Sequence, residues 1–215
     1  QHDKYGEKDY QKALYWLQKS AEQGNKDGQT ALADTYKNAW GVKPDYTKAV
    51  ELYRKAAQQG DVRAQSQLGY MYDKGWGVEQ DYAQAVEWYR KAAEQGFATA
   101  QVNLGIMYKN GEGVQQDEIQ ANQWFEKAFK KYKQYAEQYS DEESQLRLGE
   151  MYRNGWGVQQ DYKQAMEWYQ KAAEKKHPIA QGSIGELYDE GLGVEQNYEL
   201  AFQWYEKAAN QGFKI

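Results

Sequence analysis

Between Asp61 and Gly96 the apolar side chains first fall at Ala64, Leu68, Met71 and Tyr72, with Gly69 beside Leu68. Spacings of three and four predict a helix, helix A, ending near Lys74. Gly75-Trp76-Gly77-Val78 interrupts it, because two glycines supply backbone angles that other residues avoid. Asp81 then reads as the N-cap of a second helix, B, with Gln84 three residues on as in a capping box. Helix B shows Tyr82, Ala85, Trp88, Tyr89, Ala92 and Ala93 on one face, and Gly96 stops it. Gly69 in mid-helix costs about 1 kcal/mol against alanine, which implies that a neighbouring backbone comes close enough to exclude a methyl.

The pattern recurs. The second glycine of the loop stands at Gly41, Gly77, Gly113, Gly157 and Gly193, at intervals of 36, 36, 44 and 36 residues. A fixed period of this size marks a stack of like supersecondary units, each touching its neighbours. The chain therefore reads as one all-α solenoid of antiparallel helix pairs. A B-type half-repeat spans 1–24 (its helix Asp9 to Gly24, with Ala13, Trp16 and Leu17 inward). Full repeats follow at 25–60, 61–96, 97–140, 141–176 and 177–212. Repeat 97–140 carries eight extra residues, and Phe129, Tyr132, Tyr135, Ala136 and Tyr139 continue its apolar stripe. That predicts about two more turns, projecting beyond the neighbours and needing burial. Gly212-Phe213 copies Gly96-Phe97, so both ends look cut, and end-to-end self-association or a longer parent protein is expected.

Composition narrows the function classes. Net charge is −5 with no basic run, against a nucleic-acid partner. Mean hydropathy is −1.09 and no apolar run approaches the ~20 residues of a membrane span, so a soluble chain is expected. Cysteine is absent, which excludes disulfides and thiolate chemistry. Aromatic residues make up 15% of the chain and must supply most of the buried area, helix-B Trp88, Trp124, Trp168 and Trp204 among them.

The unit Ala-Gln-x-x-Leu-Gly-x-Met-Tyr-x-x-Gly-x-Gly-Val-x-Gln-Asp-Tyr-x-x-Ala-x-x-Trp-Tyr-x-Lys-Ala-Ala-x-x-Gly resembles the Sel-one-like repeat (SLR) family, relatives of the tetratricopeptide repeats. Residues Ala64 to Gly96 match it almost throughout. The resemblance implies a right-handed superhelix with helix A lining the concave side, and a role as adaptor or scaffold. Bacterial members include host-interaction factors, envelope proteins and toxin-neutralising immunity proteins, which favours periplasm or secretion over cytoplasm.

Candidate chemistry is sparse. His2 and His177 are the two histidines, each without a catalytic partner in sequence, and His177-Pro178 reads as a helix stop. No His or Cys pair has ligand spacing, so neither metal nor cofactor is expected. Trp40, Trp76 and Trp156 in the glycine loops read as covers for the edges of their own helix pairs, with carbohydrate stacking as the sharper alternative. The geometry implied by the resemblance turns helix-A positions two and five before, and two, five and six after, the Leu of each Leu-Gly towards the groove. Tyr70, Val102, Ile106 and Leu146 are apolar there, framed by Arg63, Lys74, Lys109 and Arg153, and form the candidate partner-binding surface. The reading is a non-catalytic scaffold holding a partner protein on its concave face. A toxin-neutralising immunity protein is the narrower alternative, and an enzyme or carbohydrate-binding module the alternative of another class.

Overall fold

The computed structural model describes residues 4–211, which form eleven helices and no strand. They are α1 (Lys4–Glu22), α2 (Lys26–Asn38), α3 (Tyr46–Gln58), α4 (Val62–Lys74), α5 (Tyr82–Glu94), α6 (Ala98–Asn110), α7 (Glu118–Tyr139), α8 (Glu142–Asn154), α9 (Tyr162–Glu174), α10 (Pro178–Glu190) and α11 (Tyr198–Ala209). Odd-numbered helices are B-type and even-numbered ones A-type, so the fold is an all-α solenoid of helix pairs. The chain divides into two compact units, Gln1–Ala121 and Asn122–Ile215, with the division inside α7. In the first unit α2 packs with α3 and α4 with α5, and α1, α3 and α5 each pack on the helix A that follows. In the second, α8 packs with α9, α10 with α11, and α9 on α10.

Each regular helix A ends in a left-handed glycine (Gly75, Gly111, Gly155 or Gly191) whose amide bonds the carbonyl four residues back. A loop glutamine then caps the same end: Gln80 Nε2 donates to the Asp73 carbonyl, and Gln116, Gln160 and Gln196 repeat the contact seven residues back. The helix-B caps are half of what the sequence predicts. Asp81 accepts from the Gln84 amide at 3.0 Å, but its own amide donates to the Tyr72 carbonyl across the loop, so no capping box closes. His177 starts a helix rather than stopping one. It is the N-cap of α10 with Pro178 in the first turn, and Lys176 takes the positive-φ position that glycine holds elsewhere.

Two kinds of glycine fix the packing. A Cβ on Gly69 would lie 2.7 Å from the Tyr89 ring, and Gly149 and Gly185 face Tyr169 and Tyr205 in the same way. An aromatic ring, not a neighbouring backbone, excludes the methyl. The second loop glycine does meet backbone. A Cβ on Gly77 would lie 2.4 Å from the Tyr46 carbonyl, and on Gly113 2.3 Å from that of Tyr82, each on the preceding helix B.

The fully buried aromatic rings are Tyr53, Tyr89, Phe125 and Tyr169. Trp88, Trp124, Trp168 and Trp204 are half-buried rather than core. Each lies one residue before its buried ring (before Tyr205 for Trp204), about 100° round the helix. The lysine three residues on (Lys91, Lys127, Lys171, Lys207) sets its ammonium 3.7–4.0 Å from the indole centre. On α1 the expected inward face is open: Ala13 and Trp16 are exposed and Leu17 half-buried, since among the described residues α2 is the one helix found packed on it.

Helix α7 absorbs the insertion as one continuous helix of 22 residues. Gly157 meets the Phe125 backbone, eight residues after Asp117, where Gly77 and Gly113 meet the residue directly after the cap aspartate. The loop between α8 and α9 is thus docked seven residues, two turns, further along. Phe125 stacks on Trp156 with centroids 5.3 Å apart, and Phe129 meets Tyr152 edge-on. Of the added stripe, Tyr132 is buried at 6% exposure and Ala136 is buried with it, while Tyr135 and Tyr139 face outward, the latter at 62%.

Two substitution pairs check this packing by chemical denaturation. Gly113→Ala and Gly96→Ala both place a side chain at positive φ, worth about 1 kcal/mol. Only Gly113 adds a backbone clash, so it is expected to lose markedly more stability than Gly96, which has open space around it. Tyr132→Ala is expected to cost about 3 kcal/mol by leaving a cavity, and Tyr139→Ala close to nothing.

Candidate functional site

Contacts between successive A helices define a shared face in each unit. In the first, Arg63 of α4 pairs with Asp34 of α2, and Lys37 Nζ donates to Gln67 Oε1 at 2.8 Å. Asp34 also accepts the Tyr53 hydroxyl at 2.5 Å, and burial together with this carboxylate pushes the phenol well above its ordinary range. Burial pushes the Lys37 amine below its ordinary value, with Asp34 opposing and Arg63 reinforcing the shift. In the second unit Arg153 of α8 pairs with Glu186 and Glu190 of α10, the latter at 3.8 Å.

The repeat positions expected to face the groove carry, in the first unit, Arg63, Tyr70 and Lys74 of α4 and Val102, Ile106 and Lys109 of α6. Tyr70, Val102 and Ile106 are half-buried, while the three cations are exposed. Tyr70 and Ile106 occupy the same repeat position, 36 residues apart, which holds Asp34, Glu150 and Glu186 in the other full repeats. Tyr70 stands edge-on to Trp76 at 5.4 Å, and Trp76 stacks on Tyr46 of α3 at 5.1 Å. The loop indole therefore covers the edge of its own helix pair and reaches the preceding pair as well. Tyr46 and Trp76 extend the apolar patch, and the sequence alone does not signal them, because their contact joins adjacent repeats.

Leu146 does not belong to this surface. It is fully buried against Ala165, Tyr169 and Ile184 in the core of the second unit. Its repeat position is turned inward generally, since Thr30 and Ser66 are buried there too; Val102 is the partly open exception. Arg153 lies on the shared face but is held by two carboxylates. Of the histidines, His2 lies outside the described residues, as does Gly212-Phe213. His177 Nε2 is 3.4 Å from Glu143, which Arg147 also binds at 2.7 Å. That is a polar cluster with no nucleophile in it. No group of three metal-ligating side chains occurs among the described residues, and no described helix is long and apolar enough to cross a membrane.

The Sel1 repeat model matches six consecutive segments, 2–25, 26–61, 62–97, 98–131, 142–177 and 178–213. The chain belongs to the Sel1 repeat family. Such repeats are generally protein-interaction scaffolds. The array is similar to a protective antigen of uropathogenic Escherichia coli with an SLR fold, at 35% identity and TM-score 0.55 over 93% of this chain. It spans about half of that antigen, 49% of its length. A Sel1 repeat protein from Oxalobacter formigenes is 32% identical, with TM-score 0.62 over 95% of this chain and 78% of that one. An immunity protein from Pseudomonas aeruginosa shares the fold at 18% identity and TM-score 0.57, covering 92% of this chain and 72% of its own. No curated protein matches the sequence.

Thermal melts separate surface from core in the Sel1 array. Leu146→Asp places a charge in a closed apolar site and is expected to lose at least ~3 kcal/mol. Tyr70→Asp, at a half-open position, is expected to leave the midpoint nearly unchanged.

Proposed function

We propose that this Sel1 array is a non-catalytic scaffold that holds a partner protein on the helix-A face of its first unit, through Tyr70, Val102 and Ile106 framed by Arg63, Lys74 and Lys109. One observation carries the reading: Tyr70 and Ile106 are partly exposed apolar side chains at a position where the other full repeats carry carboxylates. Neither is needed to close a core, since Asp34, Glu150 and Glu186 serve in the same place. Aromatic anchors inside a polar rim are the usual composition of an interface hot spot, where truncation costs about 2 kcal/mol or more. The patch gains area from Trp76 and Tyr46, already stacked and so presented at little further loss of freedom.

The test compares affinity capture by the unaltered protein and by Tyr70→Asp/Ile106→Asp. The double variant is expected to stay folded, as judged by its thermal midpoint, and to lose the proteins that the unaltered chain retains. A folded double variant that still captures the same partners would move the interface to another surface. An unfolded one would show these side chains to be structural.

A further inference from the structure

The charges on this face are sorted by depth. In the Arg63–Asp34 pair the guanidinium side is 55% exposed and the carboxylate side 8%. In the Lys74–Asp73 pair the corresponding values are 47% and 15%. Asp34 is further occupied by the Tyr53 hydroxyl, and Asp73 is turned towards the buried Tyr89. Lys109, on α6, is exposed and makes no ion pair among the described residues. Glu112, in the following loop, is half-buried and favours the Lys74 charge from the side. The Asp34 and Asp73 carboxylates that pair with the rim cations are thus withdrawn beneath it, and the end of each pair that faces solvent is positive. The chain as a whole is acidic, at −5, so this sign is local.

We propose that the face recognises an acidic amphipathic segment of a partner protein, with one or two bulky apolar side chains flanked by Asp or Glu. This rests on the reading of the face as the binding surface. The apolar side chains would lie against Tyr70, Val102 and Ile106, and the flanking carboxylates would meet Arg63, Lys74 and Lys109. Complementary charge at an exposed rim selects among partners and speeds encounter, and it is weakened by salt. The same repeat positions in the second unit carry Glu150 and Glu186, so that unit offers such a segment repulsion instead.

A random peptide library displayed on phage, panned against the full chain, tests both the chemistry and the site. The expected outcome is enrichment of peptides with Phe, Leu, Ile or Tyr beside Asp or Glu. Synthetic copies should bind the unaltered chain with affinity that falls as salt rises. Replacing their acidic residues by Lys, or the protein's Lys74→Glu and Lys109→Glu together, should each weaken binding at least about tenfold. Enriched peptides that depend on Tyr70 and Ile106 but are neutral or basic would overturn the acidic assignment and leave the site standing. Peptides that bind Tyr70→Asp/Ile106→Asp undiminished would overturn the site itself, and absence of enrichment would overturn both. Enrichment of this chain's own sequences would identify a second copy as the occupant and replace the proposal.

Discussion

The close approach of one loop glycine to the backbone of the preceding helix B governs the rest of the array. Gly77 on Tyr46, Gly113 on Tyr82 and Gly157 on Phe125 leave no room for a side chain, and all three hold positive φ. Two requirements therefore meet in one residue: a left-handed turn and a bare Cα. With the loop pressed down, the preceding indole is brought against the earlier helix, hence the stacks of Trp76 on Tyr46 and Trp156 on Phe125. The mid-helix glycine does the corresponding service inside a pair, letting the Tyr89 or Tyr169 ring lie against helix A with no exposed edge.

This constraint explains why eight inserted residues are tolerated. Seven residues are close to two helical turns, so sliding the docked loop by seven along α7 returns the same face with a small angular drift. Ala121 and Phe125 are followed seven residues on by Ala128 and Tyr132 in the same roles, all buried. The eighth residue is taken up at the end of the helix, where Ser140 adopts φ 51° in place of the usual glycine. The next repeat departs from the pattern in a different way. Gln59, Gln95 and Gln211 each bond a glutamine 30 residues earlier, but Lys175 stands in that place for Gln145 and reaches the Ser140 carbonyl instead. The Gln145 side-chain oxygen is left buried without a partner.

The scaffold and the proposed recognition surface use different atoms of the same helices. The residues that set the period are Gly, Ala, Tyr and the cap aspartates, and they are spent on packing and hydrogen bonds. Positions that the packing leaves free can take Asp, Tyr, Ile or Glu, and in the first unit they carry the apolar patch. The Asp34–Arg63–Tyr53 contact spans both layers: its carboxylate satisfies a buried phenol, while its guanidinium contributes to the rim.

The sequence by itself determined what short-range physics controls. Helix periods, glycine stops, aspartate caps and the 36-residue repeat all act within a few residues of chain, and they specify the A/B alternation and its interruption at α7. It also singled out Tyr70 and Ile106, because a repeat shows which positions its packing does not constrain. Only the tertiary structure decided which group each glycine admits, where α8 and α9 dock along α7, and which face buries Leu146 while leaving Tyr70 open. Those outcomes depend on contacts between residues about twenty or more apart. An apolar residue in a helix reads alike whether it lies between two repeats or at the rim of a groove. The difference is made by the neighbouring helix, whose position follows from the glycine contact and not from the local pattern.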